Sequence, residues 1–252
     1  MRNPTVGVEV FYFSIGVMFL FHGALWAEYS PDRQTPADLE RELKILELDG
    51  TADSEDLSRL LRLASLYLDL GYGMYVDREK KLSAFQAGAR VAKKALQLRE
   101  SSADAHFLYA ANLGSIAELE GLVTAALTIK QLRNHVNRVL ELDEQYVPAH
   151  HMLGRMYEEL PWILGGNQEA AEEHLKTAVS LDVRYAPARL DLARWYMKRG
   201  KNTEAMRELT QVIEMPPFTK RWIWERVHRP EAQALLQEIK TQEASGRFPV
   251  NP

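Results

Sequence analysis

The chain of 252 residues contains no cysteine. It can form no disulfide, bind no metal through sulfur and use no thiol nucleophile, and this absence by itself selects no compartment. Charge of one sign is not in strong excess either: 31 basic against 35 acidic residues leave a formal net charge of −4. Binding to a nucleic-acid backbone needs concentrated Lys and Arg, so no nucleic-acid partner is expected. Catalytic signatures are missing as well. There is no phosphate-binding GxxxxGK loop, no HExxH pair and no Gly-x-Ser-x-Gly elbow, so no catalytic residue, cofactor or metal is assigned. Glu118 with Glu120, and Glu158 with Glu159, make no paired-acid arrangement and read as solvated helix ends.

Long apolar runs number one. Residues 10–27, VFYFSIGVMFLFHGALWA, carry no charge, and 18 residues of helix rise about 27 Å, close to the hydrocarbon thickness of a bilayer. Arg2 precedes the run and Glu28, Asp32, Asp38 and Glu40 follow it, a bias that favours an inside amino terminus. Leu25-Trp26-Ala27 is a passable signal-peptidase site. A cleaved signal and an uncleaved anchor both stay open, beside a buried or surface helix. Either of the first two places the remainder in the periplasm, or at the inner membrane with a periplasmic carboxyl-terminal domain. The absence of a second such run argues against a multi-span channel. The expected division is a signal or transmembrane anchor over 1–29, a linker and first helix over 30–54, degenerate repeats over 55–217, and an aromatic segment, capping helix and tail over 218–252.

What is present in quantity is helical grammar. Thr35-Pro36-Ala37-Asp38 supplies a helix start, with Thr35 as cap and Asp38 as its acidic partner. Leu57, Leu60, Leu61, Ala64, Tyr67 and Leu68 recur at helical spacing, with Gly71 and Gly73 as the expected stop. Tyr185 to Pro217 carries Leu192, Ala193, Tyr196, Gly200, Ala205, Leu209 and Val212 at tetratricopeptide offsets. Small Ala193 and Ala205 let two antiparallel helices approach while the large residues fill the seam. The same pattern starts at Tyr146 and, more loosely, near Asp104 and Leu60. Ala105, Ala149 and Ala188 correspond, giving spacings of 44 and 39 residues where the unmodified repeat has ~34. The expected fold is therefore all-α: a tetratricopeptide-like helical-hairpin solenoid, with an N-terminal apolar helix and a C-terminal capping helix from Glu231 to Lys240.

Leu160-Pro161, Gly165-Gly166, Ala170 or Ala171 and His174-Leu175, with Trp224 and Glu231 to Leu236, resemble the tetratricopeptide family of the T component of TRAP-type transport systems. That resemblance implies a periplasmic protein that associates with a solute-binding protein. It also implies oligomers with internal channels, although the lipobox cysteine is absent here.

First-helix positions that face the hollow of stacked hairpins are Phe107, His151, Arg155, Glu158, Leu190, Arg194 and Met197, with Ala111, Leu61 and Ser65 as weaker additions. Such a face suits a peptide or a carboxylate-bearing ligand. His150 and His151 are adjacent on a helix, point about 100° apart and do not suit one metal ion. Gly165-Gly166-Asn167 reads as a turn and helix cap. Trp222 and Trp224 read as core filling or an interface. The function expected is a non-catalytic protein-binding or scaffold subunit on the periplasmic side, an accessory to a membrane complex. The alternative is a TRAP-associated component that binds a small molecule. Expected partners are a protein, either integral-membrane subunits or a solute-binding protein, and further copies of the chain, with membrane contact through residues 10–27 if they are uncleaved.

Overall fold

The computed structural model describes residues 34–215 and 220–245. The apolar run 10–27, with the signal or anchor expected there, lies outside the described residues. Every regular element within them is helical, and the solenoid expected from the repeat pattern is the observed fold. Among the described residues no helix is long and apolar enough to cross a membrane.

The first helix, α1 (Pro36–Leu48), begins where local chemistry dictates. The Thr35 side chain accepts from the Asp38 amide, and the Asp38 carboxylate accepts from the Thr35 amide at 3.0 Å. Each of these satisfies a donor that a helix start leaves open. Four antiparallel hairpins follow: α2 (Leu57–Gly73) with α3 (Arg78–Leu98), α4 (Ala103–Glu120) with α5 (Leu122–Leu142), α6 (Val147–Glu159) with α7 (Gln168–Leu181), and α8 (Ala186–Met197) with α9 (Asn202–Glu214). Ala105, Ala149 and Ala188 open corresponding inner helices and are completely buried, as are Ala171 and Ala205 on the outer ones. The extra repeat length has two sources. Between Ala105 and Ala149 lies the 21-residue α5, and between Ala149 and Ala188 lies the loop of residues 160–167, which includes a 3₁₀ turn at Trp162–Leu164.

A polar clasp recurs at the residue after each of those three alanines. His106 Nε2 donates to the Glu100 carbonyl at 2.8 Å while its Nδ1 lies 2.7 Å from His135 Nδ1 on α5. His150 repeats this with the Glu144 carbonyl at 2.9 Å and His174 on α7 at 2.9 Å. In the last hairpin Arg189 takes the same place, donating to the Val183 carbonyl at 2.7 Å and pairing with Glu208 on α9. A ring whose Nε2–H is committed to a carbonyl must accept at Nδ1 when neutral, so the outer histidine supplies the shared proton. Burial, and then the charge of the facing ring, lowers the pKa of His135 and of His174. The clasp fixes the register of inner against outer helix and occupies His150 with a partner other than His151.

The chain does not stop at the last hairpin. After Lys220 a short helix, α10 (Arg221–Ile223), runs through a π-helical turn (Trp224–His228) into α11 (Arg229–Ala244). The rod is longer than the capping helix expected from Glu231. Pro230 has no N–H for the carbonyl four residues back, and the adjoining turn is widened, the Arg229 amide donating to the Trp224 carbonyl. Trp222 and Ile223 join the hydrophobic cluster of α1 to α4, whereas Ala232 and Ile239 join that of α7 to α9. One rod thus bridges the first and last hairpins. Gly73 makes this possible. It is the last residue of α2, where the sequence placed the stop, and a Cβ there would sit 2.7 Å from the Trp222 ring.

Candidate functional site

Bridging the two ends of the array leaves a cavity of about 620 Å³ at its centre. Its wall comes from the first helix of each hairpin: Leu68, Asp69 and Tyr72 of α2, Phe107 and Glu118 of α4, His151, Arg155 and Glu159 of α6, and Leu190, Asp191 and Arg194 of α8. Trp224, His228 and Glu231 close it from the carboxyl-terminal rod. The seven sequence-selected positions divide. Phe107, His151, Arg155, Leu190 and Arg194 line the cavity. Glu158 lies on a shallower neighbouring depression, where it accepts from Lys198 at 2.7 Å. Met197 packs against the core of the last two hairpins.

The electrostatic centre is Asp191. His151 Nε2 donates to it at 2.6 Å, Arg194 at 2.5 Å, and the Arg155 guanidinium approaches to 3.6 Å. Burial alone would raise this carboxyl. The His151 bond and charge, with the two guanidiniums, bring it down to about 2. Arg155 also reaches Glu159 at 2.8 Å, and Arg194 is paired with Glu231. Burial works against the Arg155 charge, but Asp191, Glu159 and Glu118 outweigh it and hold that charge in place. Both guanidiniums on the sequence-predicted face are therefore already neutralised by carboxylates of the chain itself.

Lys220 donates to Asp69 at 2.6 Å and fastens the start of the rod to α2. Beyond it the rings of Tyr72 and His228 lie 6.0 Å apart, and His151 packs edge-on against Tyr185 at 5.5 Å. His228 is only 7% exposed, and its Nδ1 finds no hydrogen-bond partner among the described residues. Burial, then the charges of His151 and Arg194, push its pKa down to about 4 despite Asp191. Its imidazole is neutral at neutral pH.

Asp191, Tyr72 and His228 escaped the sequence reading. Asp191 was accessible to it, since it stands three residues before Arg194 and so on the same helical face. Tyr72 and His228 carry no local signal, because only the closure by the rod brings them together. Among the described residues no cluster of three or more metal-ligating side chains forms.

Against known proteins, residues 32–163, just over half of the chain, match the family described as Regulator of microtubule dynamics protein 1-3. The chain belongs to that family. Residues 165–222 match a tetratricopeptide repeat. Regulator of microtubule dynamics protein 3 of Rattus norvegicus is 28% identical over 176 residues, 64% of this chain and 37% of that protein. Regulator of microtubule dynamics protein 1 of Bos taurus is 25% identical over 201 residues, covering 73% of this chain and 62% of that protein. The chain thus spans less than two thirds of the length of these relatives. Among solved structures, a thermophilic tetratricopeptide protein of Thermus thermophilus superposes with a TM-score of 0.58 at 16% identity, covering 90% of this chain and 96% of that one, a likeness of fold alone.

Family membership corrects the resemblance to the TRAP T component. The Leu-Pro and Gly-Gly residues that helped to carry it serve the backbone. Gly165 adopts φ +86°, and a Cβ on Gly166 would meet the Leu160 carbonyl, so Leu-Pro and Gly-Gly meet the needs of a tight loop. The transport-linked placement falls with that resemblance, and the periplasmic, membrane-anchored placement read from residues 10–27 finds no support in any described helix, none of which is long and apolar enough to cross a membrane. The chain is a tetratricopeptide-repeat member of its family, on a fold that mediates protein–protein contact, and that membership agrees with a non-enzymatic protein.

Proposed function

We propose that this chain is a binding module that holds a segment of a partner protein in its central cavity, and that the partner belongs to the microtubule system named by its relatives. The observation that carries the reading is the cavity itself. Its wall takes one face from the first helix of every hairpin, and its volume lies in the range that accommodates a few side chains. Phe107 and Leu190 supply apolar area, and His151, Arg155 and Arg194 supply fixed polar groups. Glu158 and Met197 do not line it.

The test is sedimentation of the purified chain with polymerised tubulin, comparing wild type with Glu118→Trp. Glu118 is exposed on α4 at the cavity wall, so the larger ring fills the space without disturbing the hairpin core. Wild type that pellets with the polymer, and a folded variant that stays in the supernatant, support the reading. Equal behaviour of the two proteins refutes it.

A further inference from the structure

One helix breaks the charge pattern of the array. α3 carries six basic residues against a single acid, in a chain whose formal charge is −4. The outer helices α7 and α9 have the opposite balance, three acids against one basic residue in each. Glu79, the one acid of α3, stands in its first turn, where it complements the helix amino terminus. At steps of three and four residues, Lys80, Ser83, Ala87, Arg90, Lys94 and Gln97 form one row, with Lys93 alongside. Phe85, Ala89, Ala92 and Ala95 take the buried side of the helix, whereas Lys80, Ser83, Arg90, Lys93 and Gln97 are exposed. On other helices a surface cation meets an acid one turn away: Arg41 with Asp38, Lys176 with Glu172, and Arg221 with Glu225. Arg90 has Lys93 and Lys94 at those positions instead, and like charges one turn apart cost helix stability. Among the described residues, the side chains of Lys80, Lys93 and Lys94 make no hydrogen bond or ion pair. Arg90 makes none either, although its charge reaches the Tyr67 phenol.

We infer that the outer face of α3 is a second interaction surface, which takes an acidic polypeptide segment laid along the helix, with Arg90, Lys93 and Lys94 as its main contacts. Carboxylates spaced along an extended chain give each of these cations the acid that the helix itself withholds. From Lys80 to Lys94 the row runs about 21 Å at ~1.5 Å per residue, which about six extended residues span. Small Ser83 and Ala87 leave room for the backbone of such a segment between the charged ends. Duplex nucleic acid, by contrast, would bring a broad polyanionic surface over the acidic remainder of the chain. No residue of α3 lines the cavity, so the inference stands independently of the cavity reading.

The experiment titrates the full chain into fluorescein-labelled, amidated hexaglutamate and follows anisotropy, beside the labelled hexaglutamine peptide and a labelled hexauridylate. Hexaglutamate is expected to bind, and hexaglutamine about tenfold or more weakly, as several exposed charge contacts together give. Raising the salt from about 50 to about 300 mM should weaken hexaglutamate several-fold, because exposed charges are screened. Lys93→Gln with Lys94→Gln should weaken it about fivefold. Lys93→Glu with Lys94→Glu, which gives Arg90 its own acids one turn away, should abolish binding with the helical circular dichroism unchanged. Lys176→Gln, on the outer helix α7, should bind as wild type does. Glu118→Trp, which fills the cavity, should also bind hexaglutamate unchanged, so failure here and failure of the cavity reading are told apart. The inference is overturned if no hexaglutamate binds, if hexaglutamine binds as well, or if the α3 substitutions act no differently from Lys176→Gln. Tighter binding of hexauridylate would make the surface a nucleic-acid site and overturn it, and loss of hexaglutamate binding in Glu118→Trp would move the site to the cavity and do the same.

Discussion

Lowering the pH should destabilise this protein through His228 well before its carboxylates titrate. Burial, with the His151 and Arg194 charges, holds the folded pKa near 4 against an ordinary 6.5. Below pH 6.5 the unfolded chain therefore binds a proton that the folded chain refuses. Stability is complete above 6.5 and is lost as pH falls towards 4. From those two values the loss is about 2 kcal/mol between pH 7 and 5, and about 3 kcal/mol by pH 4. Urea denaturation at pH 7, 6, 5 and 4 measures it, with His228→Phe as the reference because the ring against Tyr72 is kept and the titration removed. The stability of wild type relative to that variant should fall by these amounts, whatever the other histidines contribute to both proteins. A difference constant from pH 7 to 5 would refute the buried, partnerless placement of this imidazole.

Further perturbations test neighbouring parts of the account. Gly73→Ala places a methyl 2.7 Å from the Trp222 ring and should cost about 1–3 kcal/mol, read as a lower Tm with altered tryptophan emission. In the last clasp, Glu208→Ala leaves Arg189 buried without its partner and should cost about 3–5 kcal/mol. The double replacement Arg189→Met with Glu208→Leu should recover most of that loss in a double-mutant cycle. Asp191 should matter at lower pH. Its carboxyl is held near 2 against an ordinary value near 4, so its stabilisation is present above pH 4 and lost as pH falls towards 2. Asp191→Asn should abolish that acid limb in the same denaturation series. Leu209→Ala, at a fully buried seam position of α9, should cost about 2–5 kcal/mol.

The repeat architecture was legible because its requirements are local and periodic. Ala105, Ala149 and Ala188 mark where helices must approach, Thr35 with Asp38 marks a start, and Asn167 caps α7 by accepting from the Glu169 and Ala170 amides at 3.0 and 3.1 Å. Gly73 was legible as the end of α2, but its second role, letting the Trp222 ring approach, depends on a distant part of the chain and has no local signal. The site was legible only in part. His151, Arg155 and Arg194 follow from the inner-face register, but their neutralisation by Asp191, Glu159 and Glu231 depends on contacts between hairpins. The Lys220–Asp69 pair spans 151 residues, and no window of sequence contains it. The Leu-Pro and Gly-Gly segment misled about family because its residues answer to local loop geometry, Gly165 at φ +86° and Gly166 against the Leu160 carbonyl.

The docking claim is tested most directly by where a partner touches the chain. A photo-reactive phenylalanine analogue placed at Tyr72, on the cavity wall, is to be compared with the same analogue at Lys176, exposed on the outer helix α7. Both are irradiated in the presence of polymerised tubulin and the adducts mapped by mass spectrometry. Adducts from position 72 and none from position 176 are the predicted result; adducts from the outer position alone would contradict it.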